Sequence, residues 1–432
     1  MRAMGIIAAN RRLTITVITA LVLAGCAGSR TQRPTTPTPT TTPAPTSVPA
    51  PTAPPTSVPA PTAPPTPAAE PTEAPPSAQT AVPTQAKWRE VPPQPSVGSI
   101  GFFDVTWAGT RFVAVGSDAN SRGFFLDSTD GVTWHRQASL GEVGGTISLA
   151  AGPDGVVAVG SIGRHQVSWA SPDGLTWTAR RDAFRRASGG LSQGEVADVV
   201  ATGDGWLAVG SHAPRCDSAC APDGALVWTS SNGLAWTEVP SQRALHGGFM
   251  NAVAHGDDGF VAVGESFESA GAAIWTSPDG LAWTRASDDP TFVGPAGPDH
   301  GTDMTGVAVR GGAIAVVGSA ALEDDSTLVL TWSSSSGGPW SRADAEWVAD
   351  PWPRVVATPD GFLAIWSGGC PGGIWASSDG RAWRCDASDA GFNGFGSVAA
   401  AASETLEVAV GGTFDETGSF GLPGAVSYRT RP

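Results

Sequence analysis

Seven charged side chains are spaced so that they could act together. Four of them, Arg180, Arg181, Arg185 and Arg186, fall within seven residues of one another. Guanidinium groups stay charged at any physiological pH, so such a cluster would select an anion: an acidic glycan or an acidic protein patch. The other three emerge from a periodicity. Segments such as Phe112-Val113-Ala114-Val115-Gly116, Val156–Gly160, Trp206–Gly210 and Phe362–Trp366 align with one another. That alignment puts Asp104, Ser148, Asp198 and Arg354 in one column, beside the apolar Val105, Leu149, Val199 and Val355. Charges collected there need pairing or hydration. An Asp–Arg–Asp network that ties the chain together meets that need, and so does a cluster that orients a ligand. Both readings stay open at this level. No Gly-rich phosphate loop and no HExxH helix is found, and His135 and His255 stand alone. Neither a metal nor a cofactor is expected.

The elements that would position these residues come from an internal repeat. Ser-x-Asp-Gly-x-x-Trp occurs at Ser128–Trp134, Ser171–Trp177, Ser277–Trp283 and Ser377–Trp383. It recurs with Asn232 at Ser230–Trp236, and in degraded form, with Ser336, at Ser334–Trp340. Upstream of each box lies the Ala-Val-Gly segment, which recurs seven times against six boxes. The missing element lies at the other end. Trp88-Arg89-Glu90-Val91-Pro92 matches Trp236-Thr237-Glu238-Val239-Pro240, and the C-terminus stops at Ala425–Tyr428, where a seventh box would begin. Each repeat reads as four short strands, with Asp-Gly at the tight turn between the last two. The expected fold is all-β: a seven-bladed β-propeller over residues 87–432, its last blade closed by the N-terminal strand. Tyr428 is expected in the column that Trp169, Trp228 and Trp275 occupy.

These turns resemble the Asp-boxes, or BNR repeats, of sialidase-type and photosystem II assembly-factor propellers, over nearly all of residues 87–432. The resemblance implies that Asp130, Asp173, Asp279 and Asp379 are structural, at outer turns away from an axial site. It also implies what a sialidase would need: three arginines on the substrate carboxylate, a Tyr–Glu pair and an acidic Asp. The chain has a single tyrosine and no Arg-Ile-Pro motif. Sialic-acid hydrolysis by the family mechanism is therefore not expected. Ligand sites in such propellers lie at one mouth of the channel. Loops of blades 2–4 are rich in Arg and His, including the four arginines, and those of blades 5–7 are rich in Asp and Glu, including Asp303.

The first 86 residues read differently. Arg2, Arg11 and Arg12 precede the apolar run Leu13–Ala24, which is too short to span a bilayer but suits a signal peptide over residues 1–25. Leu23-Ala24-Gly25-Cys26 resembles a bacterial lipobox, which implies lipidation at Cys26 and an extracytoplasmic, membrane-anchored location. Residues 26–86 form a Pro/Thr-rich stalk with an exact ten-residue duplication, a composition that cannot bury a core. An exported chain permits disulfides, and Cys216–Cys220 with Cys370–Cys385 is the most local pairing. The chain's net charge is −15, and residues 1–86 hold five Arg against two Glu, so the propeller carries −18 and should repel nucleic acid. The composite expectation is a monomer that acts as a non-catalytic binding or assembly module for a protein or glycan. The alternative is a glycoside hydrolase using Asp104 and Asp198.

Overall fold

The computed structural model describes residues 87–431, apart from 144, 146, 164, 213–223, 268–270, 287–288, 298–299, 325, 336–337, 349–351, 367–372, 387–394 and 415–419. The signal peptide, the stalk with Cys26, and Cys216, Cys220 and Cys370 lie outside the described residues. The described part belongs to one compact unit, Pro83–Pro432. Its strands form seven separate antiparallel sheets, each of four strands in simple meander order except where noted below. Its helices, among the described residues, are two single 3-10 turns, Arg243–Leu245 and Pro290–Phe292.

The burial pattern explains why the Ala-Val-Gly segments read as unbroken apolar runs. Phe112–Ser117 is buried at every position, because a strand in the middle of a blade has another blade against each face. The core is accordingly not central. Seven apolar clusters occupy the seven interfaces between neighbouring blades. One joins Phe102, Phe112 and Trp134 of blade 1 to Val408, Val410 and Val426 of blade 7. Stability is thus a chain of nearest-neighbour terms around a ring.

The seventh blade consists of Phe395–Ala402, Leu406–Phe414 and Phe420–Thr430, with Arg89–Glu90 as its outermost strand. Arg89 faces Tyr428 and Glu90 faces Ser427. The first and last strands of the propeller therefore close the ring within one sheet, as expected from the Trp88 match. Blade 3 departs from four strands. Phe184–Arg185 adds a fifth strand, parallel to Trp236–Glu238, with the Phe184 ring stacked on Trp236 at 5.3 Å.

The Ser-x-Asp-Gly turns are self-sufficient. Asp173 accepts the amides of Leu175 at 2.8 Å and Thr176 at 2.7 Å and the Ser171 hydroxyl at 3.0 Å. These donors hold its carboxyl down at about 2, the Thr176 and Leu175 amides having the largest effect. Gly174 at φ 74° supplies the left-handed residue, and a Cβ there would strike Val113 of blade 1 at 2.8 Å. The same relation ties Gly131 to Val408, Gly233 to Val157 and Gly280 to Leu207, so each turn is also a contact with the preceding blade. Asn232 forms the same bonds to Leu234 and Ala235. Asp173→Asn should therefore be nearly neutral, whereas Asp173→Ala should lose about 1–2 kcal/mol in urea unfolding. Equal losses for the two variants would contradict this account of the turn.

One expectation is corrected. Ala158, Ala208 and Ala262 face Trp169, Trp228 and Trp275, but the equivalent Ala409 faces Ser427. Tyr428 is one residue out of that column and packs instead between Val408 and the blade 1 turn. A shift of one residue moves a strand side chain to the opposite face.

Candidate functional site: the axial channel

The innermost strands leave one edge of every blade without a strand partner, and these edges line the axis. A cavity of about 420 Å³ runs between them, walled mainly by Val and Ala and bordered by Asp104, Ser148, Asp198 and Arg354. The column read from the repeat is therefore a real layer of the channel. Asp104 faces Val115, Asp198 faces Val209 and Arg354 faces Ile365 across their ladders. Ala252 and Gly306 occupy the same layer in blades 4 and 5, facing Val263 and Val317.

The two carboxylates bind the free strand edges. Asp104 accepts the amide of Val105 at 2.8 Å and, across the blade boundary, that of Leu149 at 2.7 Å. Asp198 accepts Val199 at 2.9 Å, the blade 4 amide of Val253 at 2.9 Å and the Ser148 hydroxyl of blade 2 at 2.7 Å. Two side chains thus satisfy four edge amides and join blades 1 to 4. The ring is tied together here, but not by ion pairs. Among the described residues no carboxylate lies in salt-bridge range of Arg354, whose Nη1 donates to the Thr305 carbonyl at 3.3 Å. Its charge acts only at longer range.

Burial dominates the electrostatics. It pushes Asp104 up to about 7, against the lowering effect of the Leu149 amide, and Asp198 also rises chiefly through burial. A second raised pair lies at the blade 4–5 boundary, between strands Gly259–Ser266 and Thr302–Arg310. Asp303, which accepts from Asn251 Nδ2 at 2.7 Å, is pushed up to about 8 by burial and then by Glu265. Burial raises Glu265 to about 7. Sequence reading placed Asp303 among acidic loops and did not single out Glu265. The signal was present, since Ser117, Ser161, Ser211 and Ser319 hold the position after Val-Gly that Glu265 occupies.

A stability trend follows from these groups. The unfolded chain releases these protons near the ordinary carboxylate values, while the folded ring keeps them up to about 7 for Asp104 and about 8 for Asp303. Between those limits the folded state binds more protons, so the stability present in mild acid is lost as pH rises through 7–8. The melting temperature should be higher at pH 5 than at pH 8.5, and Asp303→Asn should reduce the difference. A rise in melting temperature over that interval would contradict the assignment.

The arginine cluster is not part of this layer. Arg180 and Arg181 lie in the outermost strand of blade 2, opposite Ser168 and Val167, and Arg185 lies in the added strand of blade 3. All four arginines, Arg186 included, are exposed, and none borders the axial cavity. The seven charged residues therefore divide into an axial group and an outer-edge group. Cys385 is disulfide-bonded, and its expected partner Cys370 lies outside the described residues. Among the described residues no group of His, Cys, Asp and Glu could hold a metal ion.

No protein-family model matches the chain, and no curated protein matches it. Solved structures resemble its fold. One is YCF48 bound to a D1 peptide, at 13% identity and TM-score 0.48, covering 81% of this chain and 96% of that one. Another is the SapL1 lectin in complex with alpha methyl fucoside, at 12% identity and TM-score 0.43, covering 66% and 94%. A glycoside hydrolase aligns at 12% identity and TM-score 0.37, covering 80% and 91%. At these values the likeness carries no functional argument. The sheet topology alone identifies the molecule as an all-β, seven-bladed propeller.

Proposed function

We propose that this chain is an exported lipoprotein whose propeller binds a protein or glycan partner rather than transforming it. The observation that carries this reading is the axial cavity: an open channel where Val and Ala strands present polar backbone edges beside Asp104, Ser148, Asp198 and Arg354, a concave site with convergent hydrogen-bonding groups. In this reading residues 1–25 are removed, Cys26 is lipidated, residues 26–86 form the stalk and residues 87–432 are the monomeric Asp-box propeller. Cys216–Cys220 and Cys370–Cys385 are its disulfides. The four arginines form an accessory outer surface for acidic partners. The Leu23–Cys26 motif behind a short apolar run supports the anchor, and Cys26→Ser should leave the precursor unprocessed or release it from the membrane fraction.

A glycoside hydrolase is the second reading. Asp104 at about 7 is poised as a general acid. Against it, both oxygens of Asp104 and of Asp198 are already held by backbone amides. The deciding experiment offers the full chain to a glycan panel and to envelope proteins, with binding and reducing-sugar release followed together. Binding without release supports the module. Release abolished by Asp104→Asn would establish the hydrolase instead.

A further inference from the structure

The axial layer is asymmetric in a way that specifies its ligand. Val105, Leu149, Val199 and Val253 face Ala114, Ala158, Ala208 and Ala262, and each donates its amide away from that partner strand, to Asp104 or Asp198. Val307, Val355 and Ala400 stand at the same register, opposite Val316, Ala364 and Ala409. Their amides must likewise point away from their own sheets, toward the axis. The residues that would cap them are not acceptors. Blade 4 has Ala252 where blade 3 has Asp198, and blade 5 has Gly306, where an added Cβ would sit 3.1 Å from the Val355 nitrogen. Blade 6 has Arg354, a donor. Blades 5–7 therefore turn three amides and a guanidinium toward one cavity, while blades 1–4 have their amides capped.

We propose that this half of the ring receives the carboxylate of a small organic monoanion, with Arg354 and the amides of Val307, Val355 and Ala400 as its donors. The inference rests on the reading of the axis as a binding site and deepens it. Clustered amides beside a fixed cation favour an anion. The cavity's volume limits the ligand to a small molecule, and the Val and Ala side chains among its polar edges leave room for a short organic body beside the carboxylate. Where ionised, Asp104 and Asp198 across the channel penalise a doubly charged sulfate or phosphate more than a monoanion.

The test is ligand-observed NMR titration of the full chain with isobutyrate and benzoate, against neutral isobutyramide and sulfate. Both carboxylates should bind at least tenfold more tightly than isobutyramide or sulfate. Arg354→Gln should weaken them at least tenfold. Ala252→Asp, which installs in blade 4 the acceptor that Asp198 provides in blade 3, should do the same with the fold retained by circular dichroism. If Ala252→Asp does not fold, Arg354→Gln and the isobutyramide comparison decide. Carboxylates that bind no better than isobutyramide, or equally well to Arg354→Gln, would overturn the inference. Carboxylates that fail in this way while a glycan or protein partner still binds the full chain would sink it and leave the binding-module reading intact. A chain that binds neither panel nor carboxylate would lose both.

Discussion

Arg429→Ala should destabilise the ring by up to about 3–5 kcal/mol in denaturant unfolding, the effect of removing one partner of a buried ion pair, moderated by Arg384 at 2.8 Å from Asp386 and Arg431 at 3.8 Å from Glu407. The Arg429 side chain is only 3% exposed, and it pairs through Nε with Glu407 and through Nη1 with Asp386, which are 1% and 3% exposed. Asp386 follows the outermost strand of blade 6 and also accepts from Trp88 Nε1 at 3.4 Å, while the Arg429 guanidinium lies 4.8 Å from the Trp88 ring centroid. One cation thus joins the last two blades and the closing strand. The apolar cluster at that boundary has seven buried members among the described residues, three of them Ala, against fifteen at the blade 7–1 boundary. An ionic clamp therefore acts at the boundary where, among the described residues, the apolar cluster has the fewest buried members. Burial raises Glu407 even with Arg429 present. Without the arginine Glu407 would take up a proton more readily, so the loss should be larger at pH 8 than at pH 5. A loss below about 1 kcal/mol, the range of exposed pairs, would refute the clamp.

Removing residues 87–92 should have the second large effect. Trp88 is 4% exposed against blade 6, and replacing a buried Trp with Ala typically costs about 3–5 kcal/mol. The deletion also removes the ladder from Arg89 and Glu90 to Tyr428 and Ser427 and the Val91 amide bond to the Val426 carbonyl at 2.8 Å. Blade 7 would keep three strands and present an open edge, so aggregation should accompany the lower melting temperature. Deleting residues 30–80 should leave melting unchanged. A chain beginning at residue 93 that melts like the full chain would show that closure is dispensable.

Much of this architecture was legible without coordinates because its determinants are short-range. The turn at Asp173 needs a carboxylate, a glycine and two amides within four residues, so its chemistry is written out contiguously. The axial column was legible for a related reason: register against the Ala-Val-Gly strand assigns each residue a layer, and Asp104, Asp198 and Arg354 do share one. Tyr428 was misplaced because no Ser-x-Asp-Gly turn follows the third strand of blade 7 to anchor its register, and a one-residue difference then goes undetected.

By itself, then, the sequence determined the number of blades, the turn chemistry, the closing strand and the axial layer, all consequences of period and local backbone need. Only the tertiary structure decided what the charges do. Asp104 could have met Arg354, yet its second oxygen meets the amide of Leu149, 45 residues along the chain. Arg429 meets Asp386 in the neighbouring blade. Arg180, Arg181 and Arg185 end on an outer edge because their strands are the outermost of blades 2 and 3, and Arg186 directly follows the last of these. Which edge amides are capped likewise depends on what the preceding blade offers across a boundary. Ring closure sets that juxtaposition, and no stretch of chain within one repeat contains it.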